Sequence, residues 1–302
     1  ISSPSRQEGG IFKWLKQTFD DLGADEIIED SSSEKTGSEC NNLIIRFKGT
    51  AAGESLLFST HMDTVLPCEN IEVTRKDGIF TSKGETILGA DDKSGIASCI
   101  ELIYLLKENN NPFNPIEFVF TTCEEIGLLG AKHLDRSLIK SKYGYALDSS
   151  SINKIIVAAP AANKLEITVR GAAAHAGLHP ENGINALQIA ARALARLNLG
   201  RIDDETTANI GVIKGGVAQN IIPEMVLLEG EVRSHNPEKL RTETEKIVSI
   251  FQDEIDNWDG PAANLGLRPT FELKLINDYP GMHLTPDSYV VNHARKAKKV
   301  LK

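Results

Sequence analysis

The segment FVFTTCEEIGLLGA, residues 118–131, sets two adjacent glutamates, Glu124 and Glu125, at the mouth of an apolar run. Neighbouring carboxylates at the end of a buried strand repel each other and cost desolvation, so something must offset them. A cation does so if one glutamate binds it and the other takes a proton from the water it activates. STHMDTV supplies His61 and Asp63, two residues apart at another strand end, so their side chains share a face. A metal-bound imidazole hands its second ring nitrogen to an acceptor, and a nearby carboxylate would orient it. A satisfied polar pair is the other reading of the same residues. LGADDKSG puts Asp91 and Asp92 in a glycine-flanked loop before a helix, either as an N-cap or as a carboxylate bridging two cations. ALDSS places Asp148 at a further strand end, as a ligand or as a turn residue. A nitrogen-and-oxygen donor set of this kind suits zinc, cobalt or manganese, and its lack of cysteine disfavours a closed structural zinc site.

Residues so far apart in the chain need a scaffold that gathers them at one edge. Residues 8–22 carry Ile11, Trp14, Leu15, Phe19 and Leu22 at helical spacing. NNLIIRF (41–47), SLLFSTHMD (55–63) and IEFVFTTC (116–123) read as strands, with a helix, IASCIELIYLLKEN, after the loop at 83–95. VTRKDGIFTS between them is hairpin-like. This alternation predicts an α/β domain with a largely parallel sheet, whose chemistry lies at the strands' carboxyl ends. The character changes after APAAN (159–163). From there the order is strand, helix, strand, strand, helix, strand, the ferredoxin-like split βαββαβ motif. The first of its helices is expected to bury Ile184, Leu187, Ala191 and Leu194. The expected domains are residues 1–161, a second domain at 162–277, and a return to the first at 278–302.

Composition narrows the class of function. The chain of 302 residues is 41% hydrophobic and 25% charged, with a formal net charge of −9. That charge argues against nucleic acid or an anionic membrane surface as the main partner. No apolar stretch approaches the ~20 residues of a membrane span. Cys40, Cys68, Cys99 and Cys123 show neither a CxxC pair nor a disulfide framework, which predicts a reducing, cytoplasmic compartment. The start, ISSPSRQEGG, has no initiator methionine and no signal-peptide core, and reads as the start of an incomplete chain.

Taken together, STHMDTV, LGADDKSG, TTCEEIGLLGA and ALDSS make the chain resemble the dinuclear-zinc metallopeptidases that include peptidase T, carboxypeptidase G and acetylornithine deacetylase. GAAAHAG, GGVAQNIIPE and GEVRSHNPEK extend the resemblance, which is nearest to the peptidase T-like branch. It implies a zinc-aminopeptidase-like α/β/α catalytic domain with an inserted ferredoxin-like lid that can also form a homodimer. It implies two divalent ions, one on His61, Asp91 and Asp148 and the other on Asp91 and Glu125. Asp63 would orient His61, Glu124 would be the general base, and the Asp91–Asp92 peptide would be cis. In the lid, His175 would polarise the scissile carbonyl, and Asn220 and Arg233 would hold substrate. A last histidine ligand would lie in a segment beyond Lys302. The implied activity is hydrolysis of short peptides, most readily removal of the first residue of a tripeptide. An N-acyl-amino-acid deacylase or carboxypeptidase of the same family, and a silent binding protein of the same fold, are the alternatives.

Overall fold

The computed structural model describes residues 1–151 and 154–300, which divide into two units, Ile1–Lys154 and Ile155–Lys302. The first unit runs α1 (Gly9–Asp21), β1 (Glu26–Glu29), α2 (Ser33–Thr36), β2 (Leu43–Phe47), β3 (Leu56–His61), β4 (Glu72–Lys76), β5 (Ile79–Lys83), α3 (Ala90–Glu108), β6 (Ile116–Thr121), α4 (Leu129–Lys132) and β7 (Tyr143–Ala146). Its main sheet has the order β1-β2-β6-β3-β7. The expected parallel arrangement is confined to β6, β3 and β7, while β2 runs antiparallel to both β1 and β6. β4 and β5 pair only with each other, as the hairpin.

Every residue of β6 is buried, which is why its sequence reads as a continuous apolar run. Ile11, Leu15 and Phe19 of α1 and Ile96, Cys99 and Ile103 of α3 join Leu43, Ile45, Phe47, Phe118 and Phe120 in one core. Phe19 sits 5.4 Å, ring to ring, from both Phe118 and Phe120. Trp14, which shares the helical spacing of that stripe, is instead half-exposed. Glu117, in the middle of β6, is only 1% exposed and accepts a hydrogen bond from Arg46 Nε at 2.8 Å. Arg46 also contacts Glu26 and the carbonyl of Leu138.

The second unit contains β8 (Ala158–Ala159), β9 (Ala161–Arg170), α5 (Ala186–Arg196), β10 (Gly200–Arg201), β11 (Thr206–Gly215), β12 (Met225–Ser234), α6 (Pro237–Asp256), β13 (Thr270–Tyr279), β14 (Met282–His283) and α7 (Tyr289–Val300). Its antiparallel sheet, β10-β11-β12-β9-β13, realises the predicted βαββαβ order. Asn185 and Asn236 cap α5 and α6, their side chains accepting from Gln188 N at 3.0 Å and Glu238 N at 2.9 Å. The buried stripe of α5 is Ala186, Ile189, Ala190 and Ala193, packed with Leu240, Ile247 and Phe251 of α6 against β9 and β12. Leu187, expected on that stripe, is exposed. The boundary between the two units falls before β8. β14 pairs with β8 at Met282↔Ala159 and His283↔Ala158, which ties the tail to the segment that opens the unit. Among the described residues no helix is long and apolar enough to cross a membrane.

Candidate metal centre

The parallel strands β6, β3 and β7 end at one edge, and the residues of interest follow those ends. His61 closes β3 opposite Thr121 of β6, and Met62 N donates to Thr121 O at 2.8 Å. Glu124 and Glu125 come three and four residues after Thr121. On the other side Leu147 N donates to Ser59 O at 2.9 Å, which sets Asp148 beside the end of β3. Asp91 opens α3 behind Gly89, whose φ of +73° makes the sharp entry. The Asp91–Asp92 peptide is cis, as the resemblance implied.

His61 Nε2 lies 3.1 Å from Asp91 Oδ1 and 4.0 Å from Glu124 Oε2. Two sets of donor atoms each fall within 4.8 Å of one another: His61 with Asp91 and Glu125, and His61 with Glu124 and Asp148. The resemblance grouped them differently, with Asp91 and Asp148 beside His61 and with Glu124 as base. Asp148 is also in hydrogen-bond contact with Asp91, so both groupings lie inside one cluster. On the far side of the imidazole, Asp63 Oδ1 stands 3.4 Å from Nδ1, too long for a well-formed hydrogen bond but near enough for its charge to act.

The electrostatics are those of an anion-rich cluster. His61 is 2% exposed. Burial lowers its pKa, but the Asp63 contact and the charges of Glu124 and Asp148 prevail and raise it to about 9. Burial, together with neighbouring carboxylates, pushes Glu124, Glu125 and Asp148 above the ordinary carboxylate range. A buried imidazole with a raised pKa among several carboxylates makes a site suited to positive charge. One nitrogen and several oxygens within a few ångströms fit divalent cations of the zinc, cobalt and manganese type.

In the second unit, Ala176 N donates to Asn220 O at 2.9 Å and His175 bridges Ile221, so His175 and Asn220 are brought together. His175 Nδ1 accepts from Gly177 N at 3.2 Å, so Nε2 is the ring nitrogen left to donate. Arg233 is elsewhere. It faces Ala162 at the start of β9, whereas the His175 loop follows Arg170 at the strand's other end. Eight residues at ~3.3 Å each separate those ends by roughly 26 Å. The Arg233 guanidinium rests on Glu231 at 2.9 Å.

The profile of a peptidase dimerisation domain matches residues 160–259, and that of peptidase family M28 matches residues 42–178. The chain is 43% identical over 298 residues to the uncharacterized protein YqjE of Bacillus subtilis, across 98% of this chain and 78% of that one. The crystal structure of aminopeptidase PepT from Bacillus cereus matches at 42% identity and TM-score 0.88, over all of this chain and 79% of that one. A tripeptidase from Staphylococcus aureus matches at 37% identity and TM-score 0.91, over all of this chain and 78% of that one. The chain belongs to the metallopeptidase family of peptidase T.

Within this metallopeptidase the sequence pattern left two contributions unseen. Asp63 does more than face His61: its Oδ1 accepts from Glu124 N at 2.8 Å, and its Oδ2 accepts from Glu125 N at 3.1 Å and from Ser5 Oγ at 2.6 Å. Asp92, the neighbour of the candidate ligand Asp91, turns inward, and burial raises its pKa to about 7. It accepts from Gly95 N at 3.3 Å. A Cβ on Gly95 would meet Asp92 Oδ1 at 2.5 Å and Thr60 Cγ2 at 2.8 Å, so the glycine of DDKSG is required by close approach.

Proposed function

We propose that this metallopeptidase is a two-metal tripeptide aminopeptidase, with His61, Asp91, Glu125 and Asp148 holding the cations and Glu124 acting as general base. The observation that carries the reading is the cluster itself: a half-buried Glu124 with a raised pKa, 4.0 Å from the buried imidazole shared by both donor sets. The likeness to the Bacillus cereus aminopeptidase and the Staphylococcus aureus tripeptidase supports the choice of substrate. When bound, divalent cations, zinc most readily, would polarise the peptide carbonyl and lower the pKa of water. Glu124 takes a proton from the attacking water as its oxygen adds to the carbonyl carbon, then gives that proton to the departing amine as the C–N bond breaks. A carboxylate with a raised pKa is suited to both halves of this transfer. Asp63 fixes the base and its neighbour by taking both their backbone N–H groups.

From the second unit, His175 would donate Nε2–H to the carbonyl oxygen as negative charge develops there. Asn220 and Arg233 would contact the peptide backbone or its carboxylate. The separation of His175 from Arg233 along β9 supports a homodimer in which the two serve different centres, in line with the dimerisation profile over 160–259. Four buried, unpaired cysteines support a cytoplasmic location.

The test is substitution of the two glutamates, read by metal analysis and by release of the first amino acid from a tripeptide. Glu124→Gln is expected to keep its metal and lower kcat by roughly 10²–10⁴-fold, the usual worth of a general base. Glu125→Gln is expected to bind metal more weakly. Loss of metal in Glu124→Gln with full retention in Glu125→Gln would reverse the two roles.

A further inference from the structure

We infer that residues 3–8 belong to the catalytic apparatus, with Ser5 and Glu8 as positioning residues that set Asp63 and the turn carrying Glu124 and Glu125. The inference rests on the metallopeptidase reading of that turn. The segment lies along the end of β3. Ser3 Oγ donates to Met62 O at 2.7 Å, Thr64 N donates to Ser3 O at 2.9 Å, and Pro4 bridges Thr64. These bonds clamp the backbone on both sides of Asp63. Between them Ser5 Oγ donates to Asp63 Oδ2 at 2.6 Å, a shorter contact than either glutamate N–H makes with that carboxylate.

Glu8 acts on the other side of the turn. It is 0% exposed, and its carboxylate is filled with donors. Oε1 accepts from Arg6 N and Cys123 N, each at 3.0 Å, and Oε2 accepts from Ser38 Oγ at 2.6 Å. Cys123 has φ +53°, in the left-handed region where a residue with a Cβ stays only if its surroundings hold it. Glu8 takes the N–H of that strained residue, immediately before Glu124. A segment that merely covered the core would do so with apolar side chains. Here Ser3, Ser5 and Glu8 make polar contacts to Met62, Asp63 and Cys123, each adjacent to a proposed ligand or base or, for Asp63, in contact with them. Outer partners of this kind orient metal ligands and are worth roughly 10–100-fold in metal affinity or activity.

Ser5→Ala, Ser5→Thr, Glu8→Ala and Glu8→Gln, made in the full chain, test this. Zinc affinity is measured by chelator competition, kcat and KM with a tripeptide, and melting without metal. Ser5→Ala is expected to lose roughly 10–100-fold in zinc affinity or in kcat. KM and the metal-free melting temperature should stay near wild type, and Ser5→Thr, which keeps the hydroxyl, should restore the loss. Glu8→Gln can still accept from Cys123 and donate to Ser38, so it should recover most of what Glu8→Ala loses. Ser5→Ala with wild-type zinc affinity and kcat overturns the inference, as does an equal loss in Ser5→Thr; should Glu8→Ala not fold, the Ser5 pair decides. If the wild type cleaves no tripeptide, the proposed activity fails, and the zinc affinities still decide this inference.

Discussion

Raising the pH from 7 to 9 is expected to tighten zinc binding by about two orders of magnitude, because the metal must displace a proton from His61. Without a cation, the Asp63 contact and the surrounding carboxylates outweigh burial and hold the His61 pKa at about 9. At pH 7 the imidazole is then about two units below its pKa, and removing its proton costs ~2.7 kcal/mol at ~1.36 kcal/mol per unit. Zinc affinity should rise roughly tenfold per pH unit up to about pH 9 and level off above it. Chelator-competition titrations across that range measure the slope, and calorimetry in two buffers of different ionisation enthalpy counts about one proton released at pH 7. The same shift bears on folding. A histidine whose folded pKa lies above its unfolded value of ~6.5 contributes stability fully below that value. That stability is lost as pH rises through about 9, so the metal-free protein should melt lower at pH 9 than at pH 6.5. Asp63→Asn removes the main raising charge and should move the break in the zinc profile to lower pH. A flat zinc affinity from pH 7 to 9 with no proton released would refute the reasoning, since His61 would then be neutral before metal arrives.

Removal of metal by a chelator should lower the melting temperature, since a cation at a hundredfold excess over Kd stabilises the folded state by about 2.7 kcal/mol; an unchanged melting curve after verified metal removal would speak against a shared carboxylate site. Arg46→Ala should destabilise the first unit by about 3–5 kcal/mol in denaturant unfolding, because it leaves Glu117 charged and buried. Against the raising effect of burial, hydrogen bonds from Arg46, Ser141 and Lys140 hold the Glu117 carboxyl below its ordinary value. Its contribution should therefore be present above the unfolded pKa of ~4.3 and lost as pH falls through the folded value, and unfolding monitored from pH 5 down to pH 2 in wild type and Arg46→Ala would show whether that acid step depends on the pair.

The chemistry was legible in the sequence wherever a strand end announced it. His61 and Asp148 come at the ends of strands β3 and β7, and Glu124 and Glu125 follow β6, whose burial on both faces is visible from residue types alone. What residue types leave open is which runs are neighbours. Only the order β6-β3-β7 shows that Asp148 lies close to Glu124 as well as to Asp91. Glu117 was hidden within such a run, because its partner Arg46 is 71 residues away and antiparallel pairing of β2 with β6 brings them together. Helical periodicity named the right α1, but the same spacing takes in Trp14, which is half-exposed. In α5 it followed the large residues, whereas the small ones, Ala186, Ala190 and Ala193, let the helix approach the sheet.

The placement of the lid residues was hidden for a different reason, and it bears on function. GAAAHAG follows the end of β9 and GEVRSHNPEK contains the end of β12, and until the pairing of the two strands is known, residue order does not say which end of the sheet each occupies. The register of β9 with β12 settles it: Met225 is opposite Arg170, and Arg233 is opposite Ala162. One copy of the second unit therefore presents His175 and Arg233 at opposite ends of the same sheet. A hydrolase needs the carbonyl donor and the backbone-holding group on one substrate at once, since misplacement by an ångström already costs rate. A strand-length separation is not closed by side-chain motion. If both residues act on the peptide, we propose that each centre draws them from two copies, and dimerisation is then a condition of the proposed catalysis.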